Sequence, residues 1–214
     1  MRGNMVVFDF SMVSHDPETT AAIDCSIAAV NSEKMLSEQP YSMKTAFQQI
    51  KRFKFCLTDQ ARRGYTLKAE GLEFWKRQSK ELIGRTIKPS ANDLTVDQFT
   101  EEFVAYLSTV GKIDNWWCWS TLDDGSLVWR LFLDVDKQHM IREYLPRWKG
   151  RDVATVIDNS FNYSLKKLDF IPISNTELWD QVFVKYDSSM EVMANILRMQ
   201  AIIRAEHDLP MVEK

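Results

Sequence analysis

Residues 5–10 (MVVFDF) form a short apolar run of β-prone residues with an aspartate inside it. A turn-rich stretch, 14–20 (SHDPETT), leads to a second β-prone run at 22–30, and the pair reads as a hairpin with a long loop. Residues 39–50 follow neither period. Apolar positions at Leu72, Trp75 and Leu82 predict a helix over 70–82, with cations toward its end. Val96, Phe99, Phe103, Val104 and Leu107 keep the i, i+3, i+4, i+7 spacing, so 96–110 is the clearest amphipathic helix. The aromatic run 116–122 reads as a buried strand. The turn at 123–126 starts a helix that continues to Leu133. Residues 151–157 read as a strand or a helix start. A terminal helix over 188–206 carries Met190, Met193, Ile196, Leu197 and Ile203 on its apolar positions. This order predicts an α/β fold with a mixed sheet flanked by helices.

Composition narrows the classes. The chain has 214 residues, 45% of them hydrophobic, with only 7 Gly and 6 Pro, which favours one elaborated domain over a linker-rich chain. Its 7 Trp and 12 Phe are read first as core. Cys25, Cys56 and Cys118 are widely spaced with no zinc-ligand spacing, which fits a reducing, cytoplasmic setting. Asp9 interrupts the N-terminal apolar run, and no stretch approaches ~18 apolar residues, so neither a signal peptide nor a membrane span is expected.

The net charge of −3 hides an asymmetry. Residues 44–88 hold 12 Lys and Arg against 4 Asp and Glu, whereas 89–146 hold 4 against 10. A basic segment beside an acidic one suits a polyanion held near carboxylates; two solvated faces are an equal reading. Within the basic segment, Lys51, Arg52, Lys54, Arg62 and Arg63 interleave with Phe53 and Phe55, and Trp75, Lys76 and Arg77 follow. Phosphate contact plus base stacking fits that pattern, and so does an ordinary helix face.

A carboxylate inside an apolar strand is costly unless a metal or partner neutralises it. Residues i and i+2 share a strand face, so an acid pair spaced D-x-E makes an efficient platform for two divalent ions. Here the chain reads Asp9-Phe10-Ser11: the first acid is present and the second is serine.

These segments resemble the DEDD (DnaQ-like) 3′–5′ exonucleases, most closely the T-even phage exonuclease A family. The likeness is carried by FDFSM, HDPET and AIDCSIAAV, by the helix from Leu72 to Glu81 (LEFWKRQSKE), by Trp117-Cys118 leading to Asp124, and by Arg147-Trp148-Lys149-Gly150-Arg151-Asp152. It spans nearly the whole chain. It implies an RNase H-like fold with a five-stranded mixed sheet, residues 40–90 forming a basic helical insert. It also implies that Asp9 and Asp124 are the first and third catalytic acids, with Asp123 as the register alternative. Ser11 stands where the family has Glu. In the last motif Tyr186 replaces the histidine base and Glu191 replaces the final metal-binding Asp.

Losing the base costs on the order of 10²–10⁴-fold, and the longer Glu arm displaces an ion by roughly 1 Å. Asp24, Asp16 or Glu18 are candidates to compensate. Three functions are therefore open. The first is an exonuclease-like protein that binds single-stranded DNA or RNA and is weak or inactive as a nuclease. The second is an active exonuclease using magnesium or manganese at Asp9, Asp124 and Glu191. The third is an interaction protein that presents the fold to a protein partner. His15, His139 and His207 are read as surface residues.

Overall fold

The computed structural model describes residues 3–161 and 176–210. A five-stranded sheet forms its centre, in the order β3-β2-β1-β4-β5. Strand β1 (Asn4–Met12) pairs antiparallel with β2 (Ala22–Asn31), and β2 pairs antiparallel with β3 (Ile50–Lys54). On the other side β1 runs parallel to β4 (Asn115–Cys118), which runs parallel to β5 (Gly150–Asp152). The expected mixed sheet is thus present.

Strand alternation divides the core. Val6, Phe8 and Phe10 point to one face, where they meet Phe53, Phe99, Phe103 and Trp116. Phe8 stacks on Trp116 with ring centroids 5.6 Å apart, and Phe55 lies 4.6 Å from Phe99. Helix α6 (Val96–Val110) supplies the two phenylalanines at helical spacing. Met5 and Val7 point to the opposite face, against Ala28, Val30, Trp117 and the long helix α11 (Ser188–Ala205). The Trp116-Trp117 pair is therefore core, one indole on each side of the sheet.

α11 is buried nearly all round, as a helix caught between a sheet and other helices must be. Besides β1 and β2 it touches α1 (Ser32–Leu36), α2 (Met43–Phe47) and α9 (Val153–Phe161). Two of its buried polar residues bond the segment after β2: Gln200 bonds both backbone groups of Tyr41, at 2.8 and 2.9 Å, and Arg204 donates to the carbonyls of Met35 and Ser37.

Several elements differ from the sequence reading. The segment 40–90 is not purely helical: it contributes the edge strand β3 to the main sheet. It also carries α2 and α3 (Leu57–Arg62). The helix expected over 70–82 is two, α4 (Ala69–Lys76) and α5 (Lys80–Arg85), because the Ser79 side chain caps Leu82 N–H and restarts the chain. Both readings of 151–157 hold in sequence, β5 and then α9 capped by Asp152. Downstream of β4, a π-turn (Thr121–Gly125) feeds α7 (Ser126–Leu133), followed by α8 (Gln138–Tyr144). α10 (Thr176–Val182) precedes α11. Among the described residues no helix is long and apolar enough to cross a membrane.

Candidate functional site

The apolar stripe Met5-Val7 continues along β1 as Asp9-Ser11, on the α11 face. β2 continues the polar strip, since Asp9 pairs with Ser26 and Ser11 with Asp24. Asp124 comes from the turn after β4, the parallel neighbour of β1. Asp9, still within β1, and Asp124 thus meet just past the parallel β1–β4 pairing, on the carboxyl side where open α/β sheets bind ligands. Glu191 arrives from the first turn of α11. Asp9 and Glu191 line a cavity of about 810 Å³ that also takes in Ser11, Lys68, Phe74 and Tyr186.

The electrostatics show how closely these acids converge. Asp9 is pushed well above the usual carboxylate range, first by burial, then by the charges of Asp124, Glu191 and Asp24; Arg198 acts the other way. Asp124 is 3% exposed and is raised to about 7, mainly by burial. Backbone N–H groups of Phe10 (3.2 Å) and Ser120 (3.5 Å) donate to its two oxygens and hold it partly back. Asp123, the register alternative, is only half-buried. Glu191 is also raised by burial, against the nearby Arg198 and Lys185.

Ser11 and Tyr186 both have structural partners. Ser11 Oγ donates to the Tyr186 carbonyl at 3.3 Å. Tyr186 itself sits at φ 69 and turns its ring outward against Phe74, centroids 5.0 Å apart. Its backbone, more than its phenol, shapes the site.

A metal fits these residues poorly. Among the described residues, no group of three or more His, Cys, Asp or Glu side chains is placed to hold an ion. Both oxygens of Asp124 accept backbone N–H groups, and Glu191 lies 3.9 Å from the Arg198 guanidinium. Asp124 and Glu191 are nevertheless near enough to raise Asp9, so its neighbourhood favours positive charge.

Arg198 and Asp187 carry weight that the sequence reading did not assign. Arg198 is buried on α11, donates to Asn195 at 2.9 Å and lies over Trp119 at 5.0 Å. A cation inside an apolar helix, seven residues after an acid on the same face, is the signal that would have found it. Asp187 caps α11 through Ser189 N–H and accepts from Arg52 (3.4 Å) and Arg85 (3.5 Å). Arg52 also bonds the fully buried Asp24. Asp24 and Arg52 are therefore committed to joining β2, β3 and α11. Burial raises the Asp24 carboxyl, and the Arg52 charge opposes it.

The expected nucleic-acid residues scatter. Lys51 pairs with Glu102 at 3.3 Å, Lys54 with Asp93 at 2.9 Å, and Lys76 with Glu73 at 2.8 Å. Arg63 bonds Asp59 and Asp97. Trp75 is buried, its indole N–H donating to Met12 O at 2.9 Å, yet it lines the cavity beside exposed Phe74. Arg62 and Arg77 are exposed. Asp16 is used in its own turn by Thr19 (2.6 Å) and Glu18 N–H (3.1 Å), and Glu18 is exposed. His15 is exposed at the cavity rim; His139 and His207 are also exposed.

No family model matches the sequence, and no curated protein is significantly similar to it. Solved structures are similar in fold. The zinc-ion-bound form of E. coli exonuclease I in complex with single-stranded DNA superposes at TM-score 0.59 and 10% identity, covering 97% of this chain and 42% of that one. A moderately thermophilic exonuclease I from Methylocaldum szegediense gives 0.58 at 8%, covering 96% and 41%. A chain in the structure of the yeast NOT1 MIF4G domain co-crystallized with CAF1 gives 0.52 at 12%, covering 98% and 83%. This chain thus spans about two fifths of the exonuclease I chains it matches. Its fold is the RNase H-like exonuclease fold.

Proposed function

We propose that this chain is an exonuclease-like protein that holds the end of a single-stranded DNA or RNA in the cavity and hydrolyses it weakly or not at all. In this reading it is a relative of the T-even phage exonuclease A family whose site has drifted. One observation carries the reading: Ser11 occupies the second carboxylate position of the β1 face and spends its hydroxyl on the Tyr186 carbonyl. The set lacks a charge there, and the neighbouring Asp24 is paired with Arg52.

The rest of the cavity suits a strand end. Phe74 and Tyr186 are 39% exposed at its mouth, and bases stack on such rings whatever their sequence. Lys68 is an exposed cation on the same wall. Magnesium or manganese would supply charge neutralisation and water activation in a working nuclease of this fold. The residues accommodate such ions poorly. The second reading, an active enzyme, is favoured by the repulsion of Asp9 by Asp124 and Glu191, which a divalent cation would relieve.

Fluorescence anisotropy in EDTA with a short 5′-labelled single strand tests the binding half. Saturable binding is expected, weakened about 10-fold by Phe74→Ala, within the range of one lost stacking contact. Absence of binding, or indifference to the substitution, contradicts the proposed cavity.

A further inference from the structure

A second cavity of about 750 Å³ lies between α7, α8 and the 147–149 turn, outside the carboxylate site. Its walls carry Arg142 and Arg147 and no carboxylate. Both arginines are exposed, and neither forms an ion pair among the described residues. In the basic segment, by comparison, Lys51, Arg52, Lys54, Arg63, Lys76 and Arg85 already have acidic partners. Trp148 stands 78% exposed at the rim, an unusual position for so large an apolar ring. The Arg147 guanidinium lies over the buried Trp129 ring at 4.8 Å, which holds the cation in place. Two lining side chains also hold buried polar atoms without hydrogen-bond partners, the donor Trp129 Nε1 and the acceptor Gln138 Oε1. A native fold leaves such groups unpaired only at a desolvation cost.

We propose that this cavity is a nucleoside phosphate site. The base stacks on Trp148, and the phosphate is held by Arg142 and Arg147. An unpartnered cation pair selects the anion, and the exposed indole selects the planar ring. A bare phosphate gains only the first contact, and an uncharged aromatic only the second. The site is independent of the carboxylate cavity, so it stands whether or not that cavity binds a strand.

Calorimetric titration of the Phe74→Ala protein, which weakens the first cavity, separates the two sites. The probes are adenosine 5′-monophosphate, inorganic phosphate and single-stranded oligoadenylate. The nucleotide is expected to bind more tightly than phosphate. Trp148→Ala should weaken it about 10-fold, and Arg142→Glu with Arg147→Glu should weaken it further. All three positions are exposed, so the variants should fold, and circular dichroism checks that they do. Binding of oligoadenylate alone, with the same sensitivity, would assign the site to a strand instead of a free nucleotide. The proposal is overturned if neither probe binds, or if binding ignores the substitutions at 142, 147 and 148.

Discussion

Asp124 has an ordinary carboxylate value of 3.8 when unfolded and about 7 in the folded chain. A carboxyl raised on folding favours the protonated folded state. Its contribution to stability is therefore complete below about pH 4 and is lost as the pH rises through 7. Between pH 5 and 8 that loss is on the order of 2–3 kcal/mol. In EDTA, Asp124→Asn should flatten this decline, as read from urea midpoints at both pH values. Parallel curves for the two proteins would mean that burial of this carboxylate is not the cause. Arg52 illustrates a different residue-scale lesson. Its sequence setting, between Lys51 and Phe53, suggested a phosphate ligand. Its side chain instead neutralises Asp24 and Asp187, two of the most deeply buried acids in the chain. A buried pair is weak evidence of net stability, but removing one member strands the others.

At the scale of elements, α4 forms one wall of the cavity and packs tightly on the chain leaving β1. A Cβ on Gly71 would stand 1.7 Å from the Val13 carbonyl oxygen. Glycine normally costs a helix up to ~1 kcal/mol relative to alanine, so Gly71→Ala would stabilise an isolated helix. Here the neighbour is backbone and cannot rotate away, and overpacking of ~1–3 kcal/mol should win. The variant should melt lower in a thermal scan; a higher midpoint would show that α4 does not press on Val13. Legibility in the sequence followed the same logic. α6 was readable to the residue because its apolar stripe and its Thr95–Gln98 capping box agree. β3 was not, because Lys51, Arg52 and Lys54 put charge on a strand whose acidic partners lie far along the chain. The break between α4 and α5 was hidden by apolar positions that keep helical phase across it. Asp9 stood out as a carboxylate inside an apolar strand, whereas Asp124 was singled out only by the resemblance. Arg198 was not read, although a cation seven residues after Glu191 on one face of an apolar helix was the signal for it.

For the whole molecule, the sheet order places one parallel and one antiparallel neighbour beside β1, and the cavity opens where their directions part. The same fold presents a second, arginine-lined cavity on the α7–α8 side. Acids converge at the first site, where Ser11 carries no charge and Tyr186 no imidazole. The central claim is that this geometry binds a strand end without efficiently cutting it. The direct measurement is a time course of 3′ trimming of 5′-labelled single-stranded DNA and RNA, with magnesium or manganese. The wild-type chain is compared with the combined Ser11→Glu, Tyr186→His, Glu191→Asp variant. The account predicts little or no trimming by the wild type and at least about 100-fold faster trimming by the variant, from a restored base and ligand. Rapid trimming by the wild type that Asp9→Ala abolishes would contradict it.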